Sequence, residues 1–83
     1  MPLIDPMGPD FTYLQVADHI AGRIEVGEFS HKLPAERALA EEYEVAYQTL
    51  RHAMQVLRDR GLIITRQGRG TFVAPAARPA DSR

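Results

Sequence analysis

Eighty-three residues are enough for one small domain, and 45% hydrophobic with 25% charged residues is the composition of a globular chain rather than a disordered one. The absence of cysteine excludes disulfides and thiolate metal sites, and no apolar run is long enough to span a membrane, so we expect an intracellular, cytoplasmic protein without a membrane partner. So small a core leaves little room for a catalytic cleft, and no nucleophile, base and orienting group can be assembled; we expect no enzyme, no cofactor and no metal site.

Charge is segregated along the chain, although the net charge is only -1. Residues 1–46 carry three basic residues against nine acidic ones, whereas residues 47–83 carry seven arginines against two aspartates. A basic half joined to an acidic half is typical of a protein with one face that attracts phosphate. The pattern therefore allows a nucleic-acid partner, and chance segregation in a short chain is the alternative.

The chain begins with an irregular segment and then turns helical. Residues 1–10 hold three prolines and a glycine, which predict a flexible N-terminal arm. A domain is predicted from residue 11, with a first helix that Gly27 is placed to end. The residue before Pro34 is kept away from helical angles, which predicts a short extended piece at residues 32–33. The apolar stripe of the first helix has helical spacing and consists of Tyr13, Val16, Ala17, Ile20 and Ile24.

Two further helices are predicted with a tight turn between them. The second opens at Pro34, and the third runs over residues 47–60 until Gly61 stops it. Only residues 44–46 separate them, which predicts a sharp turn with Val45 buried as a plug. Their inward faces are Leu39, Ala40 and Tyr43 on the second helix, and Leu50, Ala53, Met54 and Leu57 on the third.

After Gly61 the pattern of apolar residues changes from one typical of a helix to one typical of extended strands. Residues 62–66 and 71–73 are apolar and β-branched and predict two strands, joined by a glycine-containing hairpin. An isolated hairpin is marginal in water, so we expect it to pack on the helices through Leu62, Ile64 and Phe72. The fold class is therefore mainly α with a small β-hairpin: a winged helix-turn-helix over residues 11–74, with three helices and a two- to three-stranded wing. Residues 75–83 are predicted to be a flexible tail or linker stub.

The helix pair and the hairpin tip are the candidate functional elements. In a helix-turn-helix, the start of the second helix meets base edges in the major groove, where Gln48 can pair with adenine, Thr49 can donate and Arg51 can neutralise phosphate. Arginines at the hairpin tip suit the minor groove. A plain helical hairpin with a solvated turn is the alternative. The candidate DNA-binding residues are Ala46, Tyr47, Gln48, Thr49 and Arg51 on the helix, and Arg66, Gln67, Gly68, Arg69 and Gly70 at the tip.

Taken together, these segments closely resemble the DNA-binding domain of the GntR (gluconate-repressor-like) family. The resemblance implies a bacterial transcription regulator, usually a repressor, that binds a palindromic double-stranded operator as a homodimer. It also implies that Arg37 contacts a base or phosphate and that Gly68 enters the minor groove. Family members normally add a C-terminal effector domain, so no small-molecule effector is expected within this chain. The matching segments are Leu33-Pro34-Ala35-Glu36-Arg37-Ala38-Leu39-Ala40, Val45, Thr49-Leu50-Arg51, Ala53, Leu57, Gly61-Leu62-Ile63 and Gly68-Arg69-Gly70-Thr71-Phe72-Val73.

Three residues at the turn between the second and third helices depart from the pattern of that family, as does His31-Lys32, which replaces its usual Pro-Gly. Ala46 and Tyr47 stand where Ser or Thr followed by Arg is usual, and Glu44 stands where glycine is common. Loss of the capping hydroxyl costs about 1 kcal/mol, and loss of the arginine removes the commonest guanine reader. We therefore expect an operator richer in A·T, contacted by Gln48 and Tyr47. The same three residues keep a second hypothesis open, a winged-helix module that pairs with another protein.

Overall fold

The structure is a computed structural model that describes residues 12–78. The arm predicted for residues 1–10 and residues 79–83 of the predicted tail lie outside the described residues. Three helices precede a two-stranded antiparallel sheet, so the mainly α class with a hairpin is confirmed. The elements are α1 (Thr12–Glu25), α2 (Glu36–Tyr43), α3 (Tyr47–Asp59), β1 (Ile63–Arg66), β2 (Gly70–Val73) and a 3-10 turn at Pro75–Ala77.

The core lies where the three predicted apolar stripes meet. Helical spacing puts each stripe on one face, and burial of those faces against one another removes most of their apolar surface from water. Only Tyr13 of the predicted stripes remains partly exposed, packed against the edge of the core. Fully buried side chains come from all three helices and from both strands, including Ile20, Leu39, Leu50, Leu57, Ile63 and Val73.

The hairpin packs on the helices through the opposite face from the one predicted. Ile63 and Val73 form a directly opposed pair and are 2% and 0% exposed, whereas Ile64 and Phe72 are only partly buried. Successive side chains point to opposite faces of a strand, so an error of one residue in assigning the inward positions exchanges the buried face and the exposed face. Leu62 does pack against the core, but it precedes β1 and donates its backbone N–H to the Leu57 carbonyl at 3.0 Å. The prediction for Ile64 and Phe72 is therefore wrong.

A short extended segment before α2 lies against the outer edge of β2. The Leu33 N–H donates to the Thr71 carbonyl at 2.9 Å, and the Val73 N–H donates to the His31 carbonyl at 2.7 Å. The predicted extended piece at residues 32–33 is thus confirmed, as a single bridge pair beside the hairpin. It ties the wing to the loop that leads into α2.

The helix ends differ from the predictions by one or two residues. α2 begins two residues after Pro34, with Ala35 at its N-cap, and α3 stops at Asp59, one residue early. Gly61 takes a positive φ of 79° at that end, as expected of a helix-stopping glycine. Val45 is only half-buried at the margin of the core, so the expected buried plug is not found.

Candidate nucleic-acid interface

The turn between α2 and α3 sets the angle at which α3 leaves the core. Glu44 caps α2 in the left-handed region, with φ 59° and ψ 42°, and its N–H donates to the Glu41 carbonyl at 3.1 Å. The Val45 N–H donates to the Ala40 carbonyl at 3.1 Å, so both amides after α2 are satisfied. Glycine adopts this conformation without strain, whereas a side chain there costs about 1 kcal/mol. The backbone keeps the tight turn even though Glu44 replaces the glycine common in the resembling family.

One face of α3 is polar and open to solvent. Gln48, Arg51 and Gln55 are exposed and follow one another at spacings of three and four residues, which places them on a single stripe. The opposite face carries the buried apolar residues of this helix. The stripe forms one side of an open groove of about 470 Å³, lined by Glu36, Gln48, Arg51, His52, Gln55 and Arg58.

Arg58 attaches the wing alongside this stripe. Its Nε donates to Oγ1 of Thr65 in β1 at 2.8 Å, and its Nη2 lies 3.3 Å from Oε2 of Glu36 in the first turn of α2. Thr65 is in turn 3.3 Å from the hydroxyl of Thr71, its cross-strand partner. The strand that leads into the hairpin tip therefore lies beside the polar stripe of α3. Sequence analysis missed Glu36, Arg58 and Thr65 as positioning residues, because no pattern links side chains 22 residues apart.

The arginines divide into two groups by their partners. Arg23 pairs with Glu28 at 2.6 Å and with Glu42 at 2.9 Å. Arg60 pairs with Asp18 at 2.9 Å, and Arg58 pairs with Glu36 as described above. The arginines of the second group form no salt bridge or hydrogen bond through their side chains within residues 12–78. They are Arg37, Arg51, Arg66 and Arg69. All four had been predicted to contact DNA.

The remaining predicted residues are largely accessible. Ala46 is exposed at the N-cap of α3, where it makes no side-chain cap hydrogen bond, and Thr49 is half-buried. In the hairpin turn Gln67, Gly68 and Arg69 are exposed, and Gly68 has a positive φ of 77° that suits glycine. Gly70 is confined more tightly. Its φ is 119°, and a Cβ there would lie 2.8 Å from Cε of Lys32.

Tyr47 lies between two of the unpaired arginines. The Arg37 guanidinium carbon is 4.3 Å from the centre of the Tyr47 ring, and that of Arg51 is 5.9 Å from it. The Tyr47 hydroxyl donates a long hydrogen bond of 3.4 Å to Oε1 of Glu36. The ring therefore spans the first turns of α2 and α3.

A second polar cluster holds α1 to α2 and shifts the ionisation of its members. The hydrogen bond from Arg23 keeps the pKa of the Glu28 carboxyl below its usual range, and the same bond raises the pKa of Arg23. Burial raises the pKa of Tyr43, whose hydroxyl lies 2.6 Å from Nδ1 of His19 and 3.1 Å from Arg23. The one guanidinium of this cluster is paired with two carboxylates, so it serves to join elements.

The part of the chain that the structure describes has neither a metal-binding cluster nor a membrane-spanning helix. Across residues 12–78, no three His, Cys, Asp or Glu side chains are grouped so that they could hold a metal ion. In the same range, each helix is too short or too polar to cross a membrane.

The comparison with known proteins agrees with the geometry. A family model described as bacterial regulatory proteins, gntR family, matches residues 12–73. The HTH-type transcriptional repressor NagR of Bacillus subtilis is 34% identical over 73 residues, which cover 86% of this chain and 30% of that protein. The chain spans between 21% and 30% of the length of three curated relatives that it matches.

Solved structures with the same fold include one bound to DNA. The structure of AraR(DBD) in complex with operator ORE1 matches with 35% identity and a TM-score of 0.75, over 89% of this chain and 98% of that chain. YtrA from Sulfolobus acidocaldarius, a GntR-family transcription factor, matches with 34% identity and a TM-score of 0.76, over 86% of this chain and 77% of that chain. The winged helix-turn-helix fold and the family resemblance are confirmed.

Proposed function

This chain belongs to the GntR family of bacterial regulatory proteins, and from that we propose that it is a sequence-specific DNA-binding transcriptional regulator. In this proposal α3 enters the major groove of double-stranded DNA and the wing tip reaches the adjacent minor groove. One observation carries the proposal. Four arginines on α2, α3 and the wing make no side-chain salt bridge or hydrogen bond within residues 12–78, while three others are held in ion pairs. Cations without an anionic partner are the groups that can neutralise phosphates.

Each candidate residue receives a role from its place in the interface. Arg51 anchors a phosphate, Gln48 reads a base edge and Arg37 reaches a base or phosphate from α2. Thr49 donates from the first turn of α3, where Ala46 and Tyr47 lie closest to the groove floor. On the wing, Arg66 and Arg69 supply charge, while the remaining tip residues allow close backbone approach. These residues are Gln67, Gly68 and Gly70.

The proposal also covers the oligomeric state of the protein on DNA and whether it represses or activates transcription. NagR is named a repressor and AraR(DBD) is bound to an operator, and we extend both properties to this chain. We propose a repressor that binds a palindromic operator as a homodimer and catalyses no reaction. The expected A·T-rich operator, read by Gln48 and Tyr47, stays a prediction.

The test is a salt titration of binding to a selected operator and to a random duplex, with two matched arginine variants. Arg51→Ala removes an unpaired charge, and Arg60→Ala removes a charge already paired with Asp18. Arg51→Ala should weaken both duplexes alike and lower the slope of log affinity against log salt by about one unit, because one phosphate contact is lost. Arg60→Ala should leave the slope unchanged.

Two results would count against parts of this proposal. If the wild-type protein binds no duplex even at low salt, DNA binding is wrong and the protein-pairing module takes its place. If Arg51→Ala weakens binding only at one base position, Arg51 reads a base and is not a phosphate anchor.

A further inference from the structure

Tyr47 combines three contacts that no other interface residue has. Its ring lies against the Arg37 guanidinium, 4.3 Å from the centroid, and near that of Arg51, at 5.9 Å. Its hydroxyl bonds to Glu36, which also pairs with Arg58. The half-buried ring is thus fixed at its polar end, and its faces and edge are offered to two cations that have no other side-chain partner within residues 12–78.

The electrostatics of the ring suit this arrangement. An aromatic ring carries negative charge density on its faces, so a guanidinium within about 6 Å of the centroid is attracted. Arginine also stacks its planar group on aromatic faces, which restricts a side chain that otherwise has many rotamers. Two exposed cations near one another would repel and spread apart without such a contact. The ring therefore limits the positions that Arg37 and Arg51 sample before any partner arrives.

The affinity for a partner depends on how far the interface side chains are already ordered before binding. A long side chain that becomes fixed in an interface loses conformational entropy, and a side chain already fixed loses less. We propose that Tyr47 is a positioning residue of the DNA interface, holding Arg37 of α2 and Arg51 of α3 in the orientation in which they meet the duplex. This inference rests on the proposed DNA binding, and it adds to the base contact expected of Tyr47 a second role, which acts through its two neighbours.

The first test needs no DNA. Ring-current shifts in NMR spectra report whether the side-chain protons of Arg37 lie over an aromatic ring, with exposed Arg66 as the internal reference. The Arg37 side-chain resonances should be shifted upfield in the wild-type protein and in Tyr47→Phe, and unshifted in Tyr47→Leu. Unshifted Arg37 resonances in the wild-type protein would overturn the inference without any variant.

The second test measures affinity for a selected operator duplex. Tyr47→Leu removes the ring and should weaken binding about tenfold, since two arginine side chains must then lose their conformational freedom on binding. Tyr47→Phe keeps the ring and should recover most of the affinity that Tyr47→Leu loses, because the contact with the two guanidinium groups is kept. Thermal unfolding checks that each variant folds, and Tyr47→Gln replaces Tyr47→Leu if the latter does not.

A double-mutant comparison separates a positioning role of Tyr47 from a direct contact between Tyr47 and a base, because only the former makes the affinity losses of Tyr47→Leu and Arg37→Ala non-additive. In the Tyr47→Leu background, Arg37→Ala should cost clearly less affinity than it does in the wild type, because the arginine has already lost its orientation. Additive losses, or a Tyr47→Leu variant that binds like the wild type, would overturn the inference while DNA binding stands. A wild-type protein that binds no duplex but shows the upfield shifts would refute the proposed function and, with it, the DNA role of Tyr47, while the contact between the ring and Arg37 would stand.

Discussion

Ala46 shows how a single missing side-chain oxygen affects the interface helix. It occupies the N-cap of α3 with φ -63° and ψ 149°, the extended conformation that serines and threonines adopt at this position. Its methyl group cannot accept a hydrogen bond from the first-turn amides. The cap geometry is present, and only the acceptor is missing.

Supplying that acceptor should therefore stabilise the fold. We expect Ala46→Thr to raise the free energy of unfolding by about 1 kcal/mol, measured by urea denaturation. Ala46→Val is the matched control, because valine has the shape of threonine without the oxygen, and it should give no comparable gain. Equal stabilisation by valine would mean that packing, and not the cap, limits the stability of α3.

The contacts between elements depend on charge as well as on the core. Arg23 of α1 binds Glu28 in the following loop and Glu42 of α2, and its guanidinium carbon lies 4.7 Å from the ring centroid of Phe29. Tyr43 closes the cluster from the core side by accepting a hydrogen bond from Arg23. One guanidinium thus holds three segments of chain together.

This cluster predicts a dependence of stability on pH. The fold lowers the pKa of Glu28, so the stability it contributes is fully present above the ordinary pKa of a glutamate and is lost as the pH falls through the lowered value. Wild type should therefore exceed Glu28→Gln in unfolding free energy at neutral pH, with the difference vanishing in acid. Glu25→Gln, which removes an exposed acid from α1 that forms no salt bridge within residues 12–78, is the control and should leave the free energy of unfolding close to that of the wild type. If the difference in unfolding free energy between the wild type and Glu28→Gln were the same at every pH, the role given to this ion pair would be contradicted.

The elements themselves were predictable because each follows a local rule. Apolar spacing identified the three helices, and the change to β-branched residues after Gly61 identified the hairpin. The face of the hairpin was not predictable in the same way. Residues 62–64 are all apolar, so their order does not say which side chain points inward, and the packing of Ile63 against the helices decides it. The candidate interface residues were found for the same local reasons, whereas the Glu36–Arg58–Thr65 link depends on tertiary contacts alone.

At the scale of the molecule, some arginines form ion pairs that join elements of the fold, and others are left without an acidic partner. Arg23 joins α1 to the following loop and to α2, Arg60 pairs with Asp18 of α1, and Arg58 fixes the wing. The four unpaired arginines project from α2, α3 and the wing. The arrangement leaves positive charge available beside the polar stripe of α3, although the whole chain has a net charge of only -1.

The most direct test of this account is a map of backbone amide shifts by NMR as a selected operator duplex is added. We expect the largest changes at residues 46–51 and 66–70, with Asp18 and Arg60 unaffected, because the former line the polar stripe and wing tip and the latter pair with each other elsewhere. Changes concentrated on α1 and the turn at Pro75–Ala77, with residues 46–51 and 66–70 silent, would contradict it.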